Sequence, residues 1–393
     1  MTGPARSAEP VDHVVIGLGA LGSAAAWALA RRGEQVVGLE QFPLGHQRGA
    51  SHDTSRILRR SYHSPAYVRL ADQAYADWSE LSALTGEDLV TVTGGLDFFP
   101  PDAAIEIDGY TSSMEVNRVP FTRLTDVEVS ARWPVISLPD GTTVVHQADT
   151  GIVPAARATA SLQRLARTAE ARLYGGCPVT GLVDHGDHGV EVHTADASYL
   201  ARRVVITADA WTNDLLAHLD ATLPLTVTRE QVTYFAPEEP ERFAPDRLPV
   251  WIWMDNPSFY GFPTYGEPTV KVGQDCGGAV VTADSRTFDP DVDGVRRVSR
   301  FVTGLLPGAG QPLRTVTCLY TLTPDRDFVI GAVPEHPGVL VGLGAGHGFK
   351  FAPTIGRVLA DLATEGTAPV DIAAFAPDRP ALVDAGHPVR WLV

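Results

Sequence analysis

The sequence reads as an α/β protein: a discontinuous, doubly wound Rossmann-like domain interrupted by an antiparallel β-sheet domain with flanking helices. Three observations lead there. The first forty residues carry strand, glycine turn, helix, strand and acid in that order. Alternation of β and α segments returns at 145–220 and 320–393. The stretches between, 86–144 and 221–319, are rich in short β-like runs broken by turn signals. The expected division is therefore 1–85, 145–220 and 320–393 for the first domain, and 86–144 and 221–319 for the second.

The elements follow in chain order. Residues 13–16 (HVVI) are an apolar run of the kind buried in a parallel sheet. The turn Gly17-Leu18-Gly19-Ala20-Leu21-Gly22 leads into SAAAWALARRG, an alanine- and leucine-rich helix stopped at Gly33. The strand QVVGLE ends at Glu40. Residues 65–82 place Tyr67, Leu70, Ala71, Ala74, Trp78 and Leu81 at helical spacing. Residues 88–147 read as an antiparallel sheet and 153–168 as a helix. A meander over 172–206 runs into RRVVITADA. VTYFA, VWIWM, FYGFP and TVKVG give 223–275 β character, and 290–305 reads as a helix. Finally a strand, VLVGL, meets the loop GAGHGFKF and the helix PTIGRVLADLATE. There is no internal repeat, low-complexity tract or flexible linker.

The glycine turn has a chemistry. Gly17 makes the tight turn, Gly19 lets backbone approach a pyrophosphate, and Gly22 lets helix pack on strand. The helix N-terminus offers N–H groups to the phosphates. Glu40, 18 residues past Gly22, suits ribose hydroxyls and would repel a 2′-phosphate, which disfavours NADP. The turn alone does not choose between NAD and FAD.

Composition narrows the classes. At 44% hydrophobic and 20% charged, the 393-residue chain is an ordinary globular sequence. The opening MTGPARSAEP lacks the apolar core of a signal peptide, and no stretch is long and apolar enough to span a bilayer. A net charge of −16 argues against nucleic acid and anionic membranes as partners. Cys177, Cys276 and Cys318 are too few and scattered for a disulfide framework or a zinc site, so the expected compartment is the cytoplasm and no metal is expected. Of the 31 basic residues only Lys271 and Lys350 are lysines. A compact ammonium that can lose its proton does what a guanidinium cannot. On TVKVG, Lys271 faces away from Val270 and Val272.

Distal motifs carry more. They are Ser51-His52-Asp53-Thr54-Ser55-Arg56-Ile57-Leu58-Arg59-Arg60-Ser61-Tyr62, Tyr260-Gly261-Phe262-Pro263 with Lys271 eleven residues after the tyrosine, Cys318-Leu319-Tyr320-Thr321, and Gly346-His347-Gly348-Phe349-Lys350-Phe351. In order and spacing, over nearly the whole chain, this set resembles the monomeric sarcosine oxidase and N-methyltryptophan oxidase family, within the D-amino-acid-oxidase-like group of FAD enzymes. The resemblance implies FAD linked through an 8α-S-cysteinyl bond at Cys318. A thiolate is the reactive form, and Arg56 is expected to lower the thiol pKa. It implies that Lys271 promotes reaction with O2. It also implies that Arg59 and Lys350 bind a substrate carboxylate, that Tyr260 and Tyr320 line the cavity, and that His347 tunes amine binding. Backbone N–H groups of GAGHGFK would stabilise negative charge on the reduced flavin. The cofactor contacts carried over are Gly17, Gly19, Ala20, Leu21, Gly22, Glu40, Gln41, Ser51, Ser55, Arg56, Val179, Trp211, Cys318, Ala345, Gly346, His347, Gly348 and Lys350.

The implied reaction is oxidation of a secondary (N-methyl or cyclic) amine of an amino-acid-like small molecule. A hydride equivalent goes to flavin N5 and electrons then pass to O2, giving H2O2, in a monomer. Two alternatives stay open: a biosynthetic flavin desaturase of a cyclic or carrier-tethered intermediate, and a dehydrogenase using another acceptor. The chain also departs from the family. Asp275 stands where the family has a histidine, and either approaches Lys271 or the substrate or leaves the cavity at a turn. Ser55 replaces a threonine and Asp209 a glycine. Trp251 and Trp253 point to a cavity shaped for a bulkier side chain.

Overall fold

The structure, a computed structural model, describes residues 8–392. The polar start read above for targeting lies mostly in residues 1–7, outside the described residues. The chain divides into two compact units, one of 8–53, 155–227 and 320–390, the other of 54–154, 228–319 and 391–392. Residues 54–85 and 145–154, grouped above with the first domain, belong to the second unit, and residues 221–227, grouped with the second, belong to the first.

The first unit is built on the parallel sheet that the apolar runs require. Strand Glu9–Ile16 lies between Val36–Glu40 and Ser198–Ile206, parallel to both. Arg172–Gly175 extends the sheet beyond Val36–Glu40, and His336–Leu343 pairs parallel with Ser198–Ile206. Val36–Glu40 is buried throughout, as expected where helices cover both faces of a parallel sheet. Helix Ala20–Ala30 is almost entirely buried and packs against helices Ala155–Thr168 and Ala352–Glu365. Its alanines let these helices approach closely. Two details differ from the expectation. Arg172–Gly175 leaves the meander to join the parallel sheet. The end of RRVVITADA is no strand: the strand stops at Ile206 and Asp209–Trp211 forms a 3-10 turn.

The second unit is a large sheet with a small one beside it. The main strand order is Ala279–Val280, Thr226–Ala236, Val270–Gln274, Phe259–Phe262, Val250–Trp253, Gly95–Phe99, Thr143–Gln147, Thr122–Thr125. The Val250–Trp253/Gly95–Phe99 pair is parallel; its neighbours are antiparallel. Period two sorts the residues onto two faces. One face sends Leu96, Phe98, Trp251, Phe259, Val270 and Val272 into a core closed by Val298, Val302 and Leu305 of helix Val292–Leu305. The other carries Tyr234, Lys271, Gly273, Tyr260, Phe262, Ile252 and Asp97, register partners across adjacent strands. Ile57 and Ile152 of the small sheet (Arg56–Leu58, Gly151–Val153, Thr91–Val92) pack against Val250 and Phe262.

The 88–147 stretch holds two helices that the β reading does not foresee, Ile107–Val116 and Asp126–Arg132. The second carries a complete capping box, Thr125 with Glu128, which was readable as T-x-x-E. The first contains Gly109 and two serines, and is held by burial of Tyr110 and Met114 rather than by propensity. Among the described residues no helix is long and apolar enough to cross a membrane.

Candidate active site

The dinucleotide cradle has the geometry its residues demand. Gly17 takes φ +89°, and a Cβ on Gly22 would stand 1.9 Å from the Gly17 carbonyl oxygen. Helix Ala20–Ala30 begins with no side-chain cap and no acid in its first turn, so its N-terminus keeps its positive character for a phosphate. Ser51 Oγ accepts from the Ala20 N–H at 2.9 Å and anchors the loop to that terminus. Glu40 is buried, with Oε2 accepting from Leu18 N–H at 2.9 Å and Oε1 from Phe42 N–H at 3.1 Å. Burial pushes its pKa up, but His46 and these two backbone donors outweigh it, so the carboxyl ends below its ordinary value and stays ionised. Gln41 follows directly. Beside it, Gly176 N–H donates to the Phe42 carbonyl, just before Val179 opens its strand, and Trp211 meets the Phe42 ring edge-on at 5.5 Å. The fixed carboxylate and the uncapped helix end fit an adenine dinucleotide.

The C-terminal loop belongs to the same unit. After strand His336–Leu343 the chain turns through Ala345 (φ 43°) and Gly346 (φ 81°). It enters a 3-10 turn, Gly348–Phe351, that runs straight into helix Ala352–Glu365. A Cβ on Gly346 would lie 2.7 Å from the Tyr320 ring. His347 Nε2 lies 3.0 Å from the Arg326 carbonyl, which makes Nε2 the protonated nitrogen, and its ring packs on Phe328 at 4.7 Å. Lys350 is buried with Nζ 3.0 Å from the His347 carbonyl. Asp209 lies at φ 48° with a buried Oδ2 that makes no hydrogen bond. Burial pushes its carboxyl up to about 6, against a partial offset from Thr321.

In the second unit, Lys271 is only 3% exposed, and its ammonium donates to the Ser55 carbonyl at 3.0 Å and Ser55 Oγ at 3.1 Å. It stands 4.9 Å from the Phe262 ring centre and 5.8 Å from that of Tyr234. Tyr260 lies on the same face over Gly273, where a Cβ would come within 2.7 Å of the tyrosine ring. Arg56 donates to the Ser55 carbonyl at 2.8 Å. Cys318 is buried, and burial pushes its thiol up to about 11. Arg56 pulls it down as expected, with lesser help from Lys271 and Arg286, while Glu230 works against them. The expected lowered thiol is therefore corrected: desolvation wins over the arginine.

Arg59 is buried beside Asp97, Nη1 to Oδ1 3.6 Å, with Ser61 Oγ 3.4 Å from the same Nη1. Its guanidinium carbon lies 4.7 Å from the Tyr62 ring centre and 6.0 Å from that of Tyr110. Burial opposes its charge, but Asp97 and the two tyrosines outweigh this and raise its pKa. Arg59 thus lies in the second unit and Lys350 in the first.

Two expectations change. Trp251 and Trp253 do not shape the face that carries Lys271. Their register partners are Leu96 and Phe98, so period two turns them to the opposite, core side, where Trp251 is fully buried. Asp275 lies just past strand Val270–Gln274, its N–H bonded to the Ser258 carbonyl at 2.9 Å, so of its two open placements the turn is the one adopted. Among the buried charges that escaped sequence reasoning are Asp97, Glu230 and Arg286. Arg286 donates to the Thr317 carbonyl at 3.1 Å, one residue before Cys318. A lone acid in the apolar run GLDFF was a readable signal for Asp97; nothing comparable marked Arg286 in its loop. All three cysteines are free, and among the described residues no His/Cys/Asp/Glu group could hold a metal.

Comparison with known proteins agrees with this geometry. The model of the DAO family, FAD dependent oxidoreductases, matches residues 12–362. A monomeric sarcosine oxidase from Streptomyces avermitilis is 36% identical over 95% of this chain and 99% of its own. An N-methyl-L-tryptophan oxidase from Yersinia pestis is 33% identical over 93% and 98%. Among solved structures, NikD, described as an unusual amino acid oxidase essential for nikkomycin biosynthesis, superposes with a TM-score of 0.84 at 30% identity, over 94% of this chain and 98% of its own. With a dinucleotide cradle at one end of the sequence, a matching family model over most of it and relatives aligned along nearly its full length, the chain belongs to the DAO family of FAD-dependent oxidoreductases.

Proposed function

We propose that this protein is an oxidase of a secondary amine, N-methyl or cyclic, in an amino-acid-like small molecule, that it consumes O2 and releases H2O2, and that its FAD is linked to Cys318. The observation that carries the reading is Lys271: a buried ammonium, fixed on Ser55, on the face shared with Tyr260. FAD, when bound, supplies the acceptor for the electron pair leaving the carbon beside the amine and passes it to O2.

The chain's residues do the rest. Lys271 holds a point charge in a low-dielectric setting, where negative charge developing on oxygen is stabilised far more than in water. Ser55 fixes that ammonium with two acceptors. In one unit Tyr260 takes the substrate-lining role and Arg59 the role of orienting the part of the substrate away from the amine; in the other, Tyr320, Lys350 and His347 take the lining, orienting and amine-tuning roles that the resemblance implies. The helix N-terminus after GAGHGFK stabilises anionic charge on the cofactor. The names of the relatives, each an oxidase of an amine or amino acid, support the substrate class.

A panel of N-methyl and cyclic amino acids, their esters and amides, scored by H2O2 and by imine product, tests the reading. Peroxide in step with imine from at least one member is the expected result. Turnover with an artificial acceptor but no peroxide in air would move the protein to the dehydrogenases.

A further inference from the structure

Strand Gly95–Phe99 is buried along its whole length, yet its middle residue is an acid. Asp97 lies on the same face as Lys271 and Tyr260: its register partner is Ile252, whose partner is Tyr260, whose partner is Gly273. Opposite it stands Arg59, and the two side chains are 8% and 10% exposed. They line a small cavity with Ile57, Ser61, Gln147 and Ile252. A buried carboxylate is costly unless a cation meets it, and a buried guanidinium likewise. Each of these two groups therefore requires the other. Burial raises the Asp97 pKa, and Arg59 and then Ser61 offset this only in part, so the carboxyl stays above its ordinary value.

We propose that Asp97 is a specificity-determining residue, the standing counter-ion of Arg59, so that the amine oxidised here presents an uncharged carbonyl group (amide, ester or thioester) at this position and not a free carboxylate. The inference rests on the reading that Arg59 orients the substrate. A free carboxylate brought to Arg59 would set a second anion beside Asp97 in buried surroundings, and like charges at such a site disfavour both being ionised. A neutral carbonyl oxygen accepts from a guanidinium N–H without adding charge, and a guanidinium has five N–H donors to share. The uncharged group has two sources, a free small molecule or an aminoacyl thioester on a carrier.

The test uses holoenzyme, wild type and Asp97→Asn, with benzoate and benzamide as probes of equal shape and different charge. Dissociation constants are read from calorimetry and from the change in flavin absorbance. The wild type should bind benzamide at least tenfold more tightly than benzoate, and Asp97→Asn should shift that ratio at least tenfold toward benzoate. A wild type that prefers benzoate, or a ratio in Asp97→Asn within threefold of wild type, overturns the proposal, as does failure of benzoate to bind either protein. Where Asp97→Asn gives no folded holoenzyme, the wild-type ratio decides alone.

In turnover, N-methyl amino amides and esters should exceed the matching acids at least tenfold in kcat/KM. A preference for pantetheine thioesters over simple esters would assign the tethered source. If no amine in any form reduces the flavin, the amine-oxidase reading falls while the binding ratio still judges Asp97.

Discussion

At the scale of single residues, the chemistry rests on groups whose surroundings are as informative as their identity. Lys271 and Lys350 stand out in a chain that otherwise uses arginine, and both are buried. Lys271→Met should leave anaerobic reduction by substrate within a fewfold of wild type and slow reoxidation by O2 by about a hundredfold or more, as loss of one preorganised charge does. Stopped-flow reoxidation checks this; an unchanged rate removes Lys271 from the oxygen step. Cys318 was visible only through its motif, and its burial among Arg56, Arg286, Lys271 and Glu230 was not visible at all. Wild-type protein precipitated with acid should keep its yellow colour and be one FAD heavier by mass, whereas Cys318→Ser should release its flavin. Asp97 teaches the converse. The acid in GLDFF could be seen, but its partner Arg59 lies 38 positions earlier, and no local pattern links them.

At the scale of elements, sequence reading succeeds where a local rule and the tertiary environment ask for the same thing. HVVI, the glycine turn and the alanine helix became Glu9–Ile16 and Ala20–Ala30 because each is consistent at both levels. The turn permits a sharp test. Gly22→Ala puts a methyl against the Gly17 carbonyl and Thr207 Oγ1, and should lower stability by about 3 kcal/mol with loss of bound FAD. Gly33→Ala meets nothing within 4 Å and carries only its φ of +87°, so it should cost about 1–2 kcal/mol and keep the flavin. Thermal melts with flavin content separate the two. Period two placed Trp251 and Trp253 together on a strand but could not say which face turns to the core. That is decided by strands distant in sequence, and the tryptophans proved to be packing residues. Helix Ile107–Val116 was missed for a related reason, since burial and not propensity holds it.

At the scale of the whole molecule, two units are assembled from interleaved segments, and the sequence reading differs from them at residues 54–85, 145–154 and 221–227. Global stability carries the mark of Asp209. Its folded pKa of about 6 lies above the ordinary 3.8, so the favourable contribution is fully present below about pH 4 and is lost as pH rises through 6. At pH 8 the buried carboxylate then opposes folding by about 3 kcal/mol. Asp209→Asn should melt several degrees higher than wild type at pH 8, with the gap closing toward pH 4; a gap independent of pH would mean that charge is not its cause. The central claim, that this FAD-dependent enzyme oxidises an amine and hands the electrons to O2, meets its most direct test in a single turnover. Holoenzyme mixed anaerobically with an N-methyl or cyclic amino acid, or its amide, should bleach, and on admission of air should regain its colour with one H2O2 formed per flavin. Bleaching that air does not reverse, or recovery without peroxide, would contradict the account.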